Sequence, residues 1–277
     1  MAKYSETRWF ASDGVAMHAA RWQPDAESVM VVCLIHGLGE HSGRYQDMVE
    51  YYTSCGVEVV SFDLRGHGKS GGQRGHSADF QQIMLDIDRF LYKASGIDIE
   101  KPHFIYGHSL GGTLTIKYAL SHLGQFKGVI LSSPLFKPTL EPPKWKLMVG
   151  RLVQSFWPTL SLSSAIDPRV LTRDKLLLES RLTDTLMHGK ISAKLGTQML
   201  NEGQRLLEEA QSVNFPLLVM HGDADELTSH QASALFAKRA GPNCTLKIWQ
   251  GFYHELHHEP EKQEVFDYCI GWMKRAL

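Results

Sequence analysis

Cysteine is scarce in this sequence and never clustered. The four in 277 residues, Cys33, Cys55, Cys244 and Cys269, lie far apart. No pair has the spacing of a zinc site, and Cys33 sits inside an apolar run where a buried thiol belongs. No metal is therefore expected, and a reducing cytoplasm is the expected setting. Excess charge of either sign is missing too: the formal net charge is −1, and no run of lysine and arginine interrupts the balance. A nucleic-acid footprint is not expected. No apolar stretch is long enough to span a bilayer, and Met1-Ala2-Lys3-Tyr4-Ser5-Glu6 does not read as the start of a signal peptide. Internal repeats and low-complexity segments are absent as well. What remains is an ordinary globular composition, 43% hydrophobic and 21% charged, in a chain that suits one large α/β domain or two small ones.

Along the chain, Asp13-Gly14 separates two short alternating segments, which predicts an antiparallel hairpin. Val29-Met30-Val31-Val32-Cys33-Leu34-Ile35 is almost wholly apolar, as a strand buried on both faces should be. Further strands are predicted over 57–62, 103–108 and 128–133, with helices over 48–53, 78–93 and 110–121 between them. This alternation argues a mostly parallel sheet with helices on both faces, led by the hairpin. From 137 to 213 the rhythm breaks into helical patterns with no convincing strand, which reads as an inserted helical cap. Its best helix follows Pro142-Pro143 and places Trp145, Met148, Val149, Leu152, Val153 and Phe156 at helical spacing; that apolar face is expected to pack on the core domain. Strands over 216–220 and 245–249, with helices over 231–238 and 261–274, complete the sheet. The expected core domain is thus 1–136 with 214–277.

The stretch with most chemical content is His103-Phe104-Ile105-Tyr106-Gly107-His108-Ser109-Leu110-Gly111-Gly112. An apolar strand runs into Gly-His-Ser-Leu-Gly and then into a helical pattern, which is the nucleophile-elbow arrangement with Ser109 at its apex. A serine hydroxyl is a weak nucleophile at neutral pH and needs a base, which needs an orienting acid. In an elbow fold these follow the serine in the order acid, then histidine. That order prunes the fourteen histidines sharply. His254 follows the last strand and is the expected base; His230 is too near the acid, and His257 and His258 sit deeper. His221-Gly222-Asp223-Ala224-Asp225 offers two candidate acids that spacing alone does not separate. The oxyanion donors are expected from the backbone N–H of Leu110 and, in the loop after the first parallel strand, of Leu38.

These motifs resemble a known family. His36-Gly37-Leu38-Gly39-Glu40-His41-Ser42-Gly43-Arg44-Tyr45, Phe62-Asp63-Leu64-Arg65-Gly66-His67-Gly68-Lys69-Ser70 and Gly107-His108-Ser109-Leu110-Gly111-Gly112 look like monoacylglycerol lipases and their lysophospholipase-like relatives in the α/β-hydrolase superfamily. The similarity continues through Leu160-Ser161-Leu162, His221-Gly222-Asp223-Ala224-Asp225 and Tyr253-His254-Glu255-Leu256-His257, and so covers nearly the whole chain. It implies an α/β-hydrolase fold, Asp225 as the acid, Leu38 as an oxyanion donor and no cofactor. It also implies that Glu40, Arg44 and His257 hold the polar end of a monoacyl lipid ester. A cap tyrosine of the animal enzymes has no obvious counterpart; Arg181 falls near it, and a cation there would favour a phosphate-bearing lysolipid. In such a protein the cap helix has a second reading, as a lid that lines an acyl tunnel and touches membranes through Trp145, Phe156 and Trp157. The expected activity is monoacylglycerol hydrolysis, with a lysophospholipase or short-chain esterase as the nearest rivals, then a peptidase or a non-catalytic binding protein. Serine at the elbow disfavours epoxide hydrolases and haloalkane dehalogenases, which carry aspartate there.

Overall fold

The computed structural model describes residues 3–98, 100–141, 143–164 and 166–277. Met1, Ala2, Ile99, Pro142 and Ala165, and the readings that fell on them, lie outside the described residues. The elements are β1 Lys3–Phe10, β2 Ala16–Gln23, β3 Met30–Ile35, α1 Gln46–Ser54, β4 Val57–Phe62, α2 Phe80–Arg89, β5 His103–His108, α3 Leu110–Ser121 and β6 Gly128–Ser132. Then follow α4 Lys144–Phe156, β7 Ser161–Ser163, α5 Lys175–Thr183, β8 Lys190–Ser192, α6 Ala193–Glu209, β9 Leu217–Gly222, α7 His230–Ala240, β10 Cys244–Trp249 and α8 Lys262–Ala276. Eight strands form one sheet in the order β1-β2-β4-β3-β5-β6-β9-β10. β1 and β2 pair antiparallel, as does β2 with β4, and the other neighbours are parallel. This is the α/β-hydrolase fold.

The apolar runs do what their composition dictates. Every residue of β3 is buried. Val31, Cys33 and Ile35 point into the hydrophobic cluster under α2, α3, α6 and α7, while Met30, Val32 and Leu34 point into the cluster under α1 and α8. A period of two on a two-sided sheet requires that split. α2 stops at Arg89 and passes into a wider turn over Phe90–Ala94, so the helix predicted to Lys93 is two segments.

Between β6 and β9 the insertion departs from expectation in two ways. It contains strands: Ser161–Ser163 pairs antiparallel with Lys190–Ser192. Three residues each are too few to show alternation in a sequence. The second departure concerns α4. Trp145, Met148, Val149, Leu152 and Phe156 share one face, and that face is exposed, Phe156 at 87% and Met148 at 61%. The expectation that it packs on the core domain is overturned. The helix that does so is α6, whose Leu195, Met199, Leu206 and Leu207 join the main core cluster. Ser192 caps α6 by accepting from the Leu195 N–H at 3.2 Å, which fixes where strand gives way to helix.

The two helices should respond oppositely to truncation. Leu206→Ala removes a fully buried side chain and is expected to cost about 2–5 kcal/mol in chemical denaturation. Leu152→Ala, on the exposed face of α4, is expected to stay within about 0.5 kcal/mol of wild type.

Candidate active site

At the end of β5 the chain turns sharply into α3, and Ser109 takes φ 54° and ψ −117°. For an L-residue this conformation costs about 1–3 kcal/mol and persists only where surroundings enforce it. Here they are backbone. The Ser109 N–H donates to Ser132 O at 3.0 Å, and Ser109 O accepts from the N–H groups of Thr113 and Leu135, each at 3.2 Å. A methyl group on Gly111 would lie 2.2 Å from Ile35 O, and one on Gly107 would lie 2.4 Å from Gly111 O. Strand, loop and helix therefore touch backbone to backbone, which only glycine permits.

The two histidine-side candidates meet. Nδ1 of His254 donates to Asp225 Oδ2 at 2.7 Å, and both residues are buried. Asp223 is exposed and instead accepts from the Gly251 N–H at 2.6 Å, bracing the loop below His254. Burial by itself would depress the His254 pKa, but the Asp225 carboxylate outweighs it and leaves the imidazole above its ordinary value. Burial likewise opposes the charge on Asp225, yet the flanking imidazoles of His254 and His221 hold its carboxyl well below the usual range. Two partners of Asp225 escaped the sequence reading. Thr228 Oγ1 lies 2.8 Å and His221 Nε2 lies 3.1 Å from Oδ2. The only sequence signals were a histidine four residues before the acid and a threonine three after.

Ser109 and His254 open onto one cleft. Leu38, Leu135, Ile166, Leu171, Met199 and Leu227 give it apolar walls, and Glu40, Arg181 and Glu255 make a polar end. The loop with Leu38 lies against the serine: a methyl group on Gly37 would sit 3.2 Å from Ser109 Cβ. His36 fixes that loop by donating from Nδ1 to Gly37 O at 2.8 Å and accepting at Nε2 from the Leu64 N–H at 2.9 Å. Leu110 begins α3, and a first-turn N–H has no partner within its own helix.

The expected head-group residues separate. Glu40 lines the cleft, accepting from the Gly37 N–H and, at 2.8 Å, from Tyr45 OH. Arg44 sits behind it and grips Glu255 with two hydrogen bonds of 3.0 and 2.9 Å. His257 is not on the cleft wall; it is buried and stacked on Tyr45 at 4.4 Å between ring centroids. Arg181, on α5, does reach the cleft, where its Nη1 pairs with Glu255 Oε1 at 3.1 Å.

Comparison with known proteins places the chain in a family. Residues 26–261 match the family Hydrolase_4, serine aminopeptidase S33. The chain belongs to that family. A monoacylglycerol lipase of Mycolicibacterium smegmatis is 30% identical over 99% of this chain and 98% of its own length. An abhydrolase domain-containing protein of Dictyostelium discoideum is 36% identical over 99% of this chain, which spans 29% of that protein. The crystal structure of Paleococcus ferrophilus monoacylglycerol lipase superposes with a TM-score of 0.83 at 29% identity, covering both chains fully. This Hydrolase_4 member is accordingly an α/β-hydrolase of the monoacylglycerol-lipase-like group and a carboxylester hydrolase of the serine type.

Its elbow gives a prediction that needs no substrate. Gly111→Ala is expected to destabilise by about 1–3 kcal/mol, because the added methyl has only backbone to displace. Gly150→Ala in α4, where the nearest atom is Thr197 Oγ1 at 3.6 Å, is expected to stabilise by about 0.5–1 kcal/mol. Urea titrations of both variants check the pair of signs.

Proposed function

We propose that this chain is a monoacylglycerol lipase in which Ser109 Oγ attacks the ester carbonyl and His254 takes its proton. Asp225 holds the imidazole through Nδ1 and stabilises the imidazolium. The N–H groups of Leu38 and Leu110 receive the oxyanion; losing one such donor typically costs about 3–4 kcal/mol. His254 then protonates the departing glycerol, and a water activated by the same imidazole releases the fatty acid from the acyl-enzyme. No cofactor enters. Residues 137–213 act as the cap over the 1–136 and 214–277 core.

The observation that carries this reading is that one cleft gathers Ser109 and His254 with both apolar side chains and the charged group Glu40, Arg181 and Glu255. An acyl chain suits the leucine-lined walls, since each buried methylene contributes about 0.8 kcal/mol. A polyol suits the end with Glu40. Arg44 and His257 support that end from behind, through Glu255 and Tyr45. The charges there compensate: Glu40 and Glu255 stand with Arg44 and Arg181, which favours an uncharged head group. The presence of Arg181 on the cleft wall favours the second reading, a lysophospholipase.

Fatty-acid release from monooleoylglycerol and lysophosphatidylcholine separates the two. Faster monoglyceride turnover is expected, falling by about 10⁴-fold or more in Ser109→Ala. A preference for the lysolipid that disappears in Arg181→Ala would move the assignment to lysophospholipase.

Among the described residues no helix is long and apolar enough to cross a membrane. The outward face of α4, with Trp157 beyond it, instead suits peripheral contact with a lipid surface. Phe156→Ser with Trp157→Ser is expected to reduce co-sedimentation with phosphatidylcholine vesicles severalfold while leaving hydrolysis of a water-soluble ester intact. Undiminished co-sedimentation would exclude this surface.

A further inference from the structure

Asp225 is held from both sides. On one side His254 donates to Oδ2; on the other, His221 and Thr228 crowd the same oxygen. His221 is the last residue but one of β9 and is fully buried. Its Nε2 faces two acceptors, Asp225 Oδ2 at 3.1 Å and Thr228 O at 3.0 Å, so it carries the proton. Nδ1 then accepts from the Ser233 hydroxyl at 2.8 Å. Thr228 Oγ1 reaches Asp225 Oδ2 at 2.8 Å, Ser133 O at 3.1 Å and His254 Nδ1 at 3.2 Å. The Thr228 and Leu227 N–H groups complete the hold by donating to Oδ1 at 3.0 and 2.7 Å. The carboxylate thus has five donors on two oxygens, and only one of them belongs to the base.

The loop that carries these donors is itself clamped to the first residues of the cap. Pro138 bridges Thr228. Ser229 N–H donates to Lys137 O at 2.9 Å, Thr139 N–H to Leu227 O at 3.0 Å, and Thr139 Oγ1 to Asp225 O at 3.1 Å. Movement of Thr228 away from the acid is restrained by this ladder. Ser133, whose carbonyl lies 3.1 Å from Thr228 Oγ1, has a positive φ of 45° and directly follows the residue that holds Ser109 N–H.

We propose that Thr228 and His221 are positioning residues for the acid, fixing the Asp225 rotamer and dividing its charge so that His254 is not over-stabilised as an imidazolium. The proposal rests on the reading of Ser109, His254 and Asp225 as the reacting set. Three further titratable groups face His254: Glu40 from the loop after β3, His108 at the end of β5 with rings 4.8 Å apart, and Glu255 beside it. Arg44 and Arg181 offset the two glutamates, and burial keeps His108 down near 4. None of these contacts changes when Thr228 or His221 is replaced. Losing one donor to Oδ2 leaves more of the Asp225 charge on His254, which raises the proton affinity of the base. A base must be neutral to act, so the acidic limb of kcat/KM moves to higher pH.

The test uses a short-chain nitrophenyl ester, so that an error in the head-group assignment does not enter. In Thr228→Val, kcat is expected to fall about 10- to 100-fold with KM within about twofold, and the acidic limb is expected to rise by about half a unit or more. Thr228→Ser should return both. If Thr228→Val does not fold, His221→Leu against His221→Gln decides, because the glutamine amide restores a donor near Nε2. A wild-type limb in Thr228→Val, or in His221→Leu, overturns the proposal even if thermal stability falls, since that is what a merely structural role predicts. Ester hydrolysis surviving in Ser109→Ala would overturn the underlying reading and this proposal with it.

Discussion

The structure depends on a backbone approach. At Gly107 and Gly111 the end of β5, the start of α3 and the loop after β3 come within van der Waals distance of one another without side chains between. That approach fixes Ser109 in a conformation it would not otherwise adopt and sets the Leu38 loop beside it. β5 lies in the middle of the sheet, between β3 and β6. Its neighbours on either side therefore supply the two loops that surround the serine, and β9 beyond β6 brings Asp225 to the same edge. The loop after β10 adds His254. Asp225 and His254 are close because parallel strands deliver all their C-terminal ends to one side of the sheet.

A second constraint is that this edge buries many charges, and each must be offset where it stands. Asp63 is held well below its ordinary range by His18, the Lys69 N–H and the Ser42 N–H, despite the opposing effect of burial. Arg65 is bound bidentate by Asp86, with bonds of 2.6 and 2.9 Å, and again by Asp13. These pairs brace the loop after β4 against β2, α2, the turn between β1 and β2 and Ser42, and neither Asp63 nor Arg65 lines the cleft. Glu255 does the same at the polar end, where Arg44, Arg181 and His258 converge on one carboxylate. The stretch from Phe62 to Ser70 reads as a functional motif, and its polar side chains are spent on holding neighbouring loops in register.

What the sequence made legible was local. The all-apolar run of β3 and the strand-turn-helix around Ser109 each follow from residues close together, and those patterns located the sheet and the sharp turn at the end of β5. The reading of α4 failed for a physical reason: a stripe at helical spacing reveals that a face is apolar but not what it faces. β7 and β8 were missed because three-residue strands carry no period. Spacing left Asp223 and Asp225 equivalent, and only the three-dimensional path of the loop separates them, one turned to solvent and one to His254. Thr228 and His221 were invisible as partners of Asp225, since nothing in a threonine or a strand-end histidine announces a shared oxygen.

The central claim is that Ser109 is the single activated hydroxyl, made nucleophilic by His254. The most direct measurement is covalent labelling with a fluorophosphonate, followed by peptide mass spectrometry of wild type and His254→Ala. The account predicts one phosphonylated site per chain, on the peptide containing Ser109, forming at least about 10³-fold more slowly in the variant. An adduct on another residue, or equal labelling of Ser109 without His254, would contradict it.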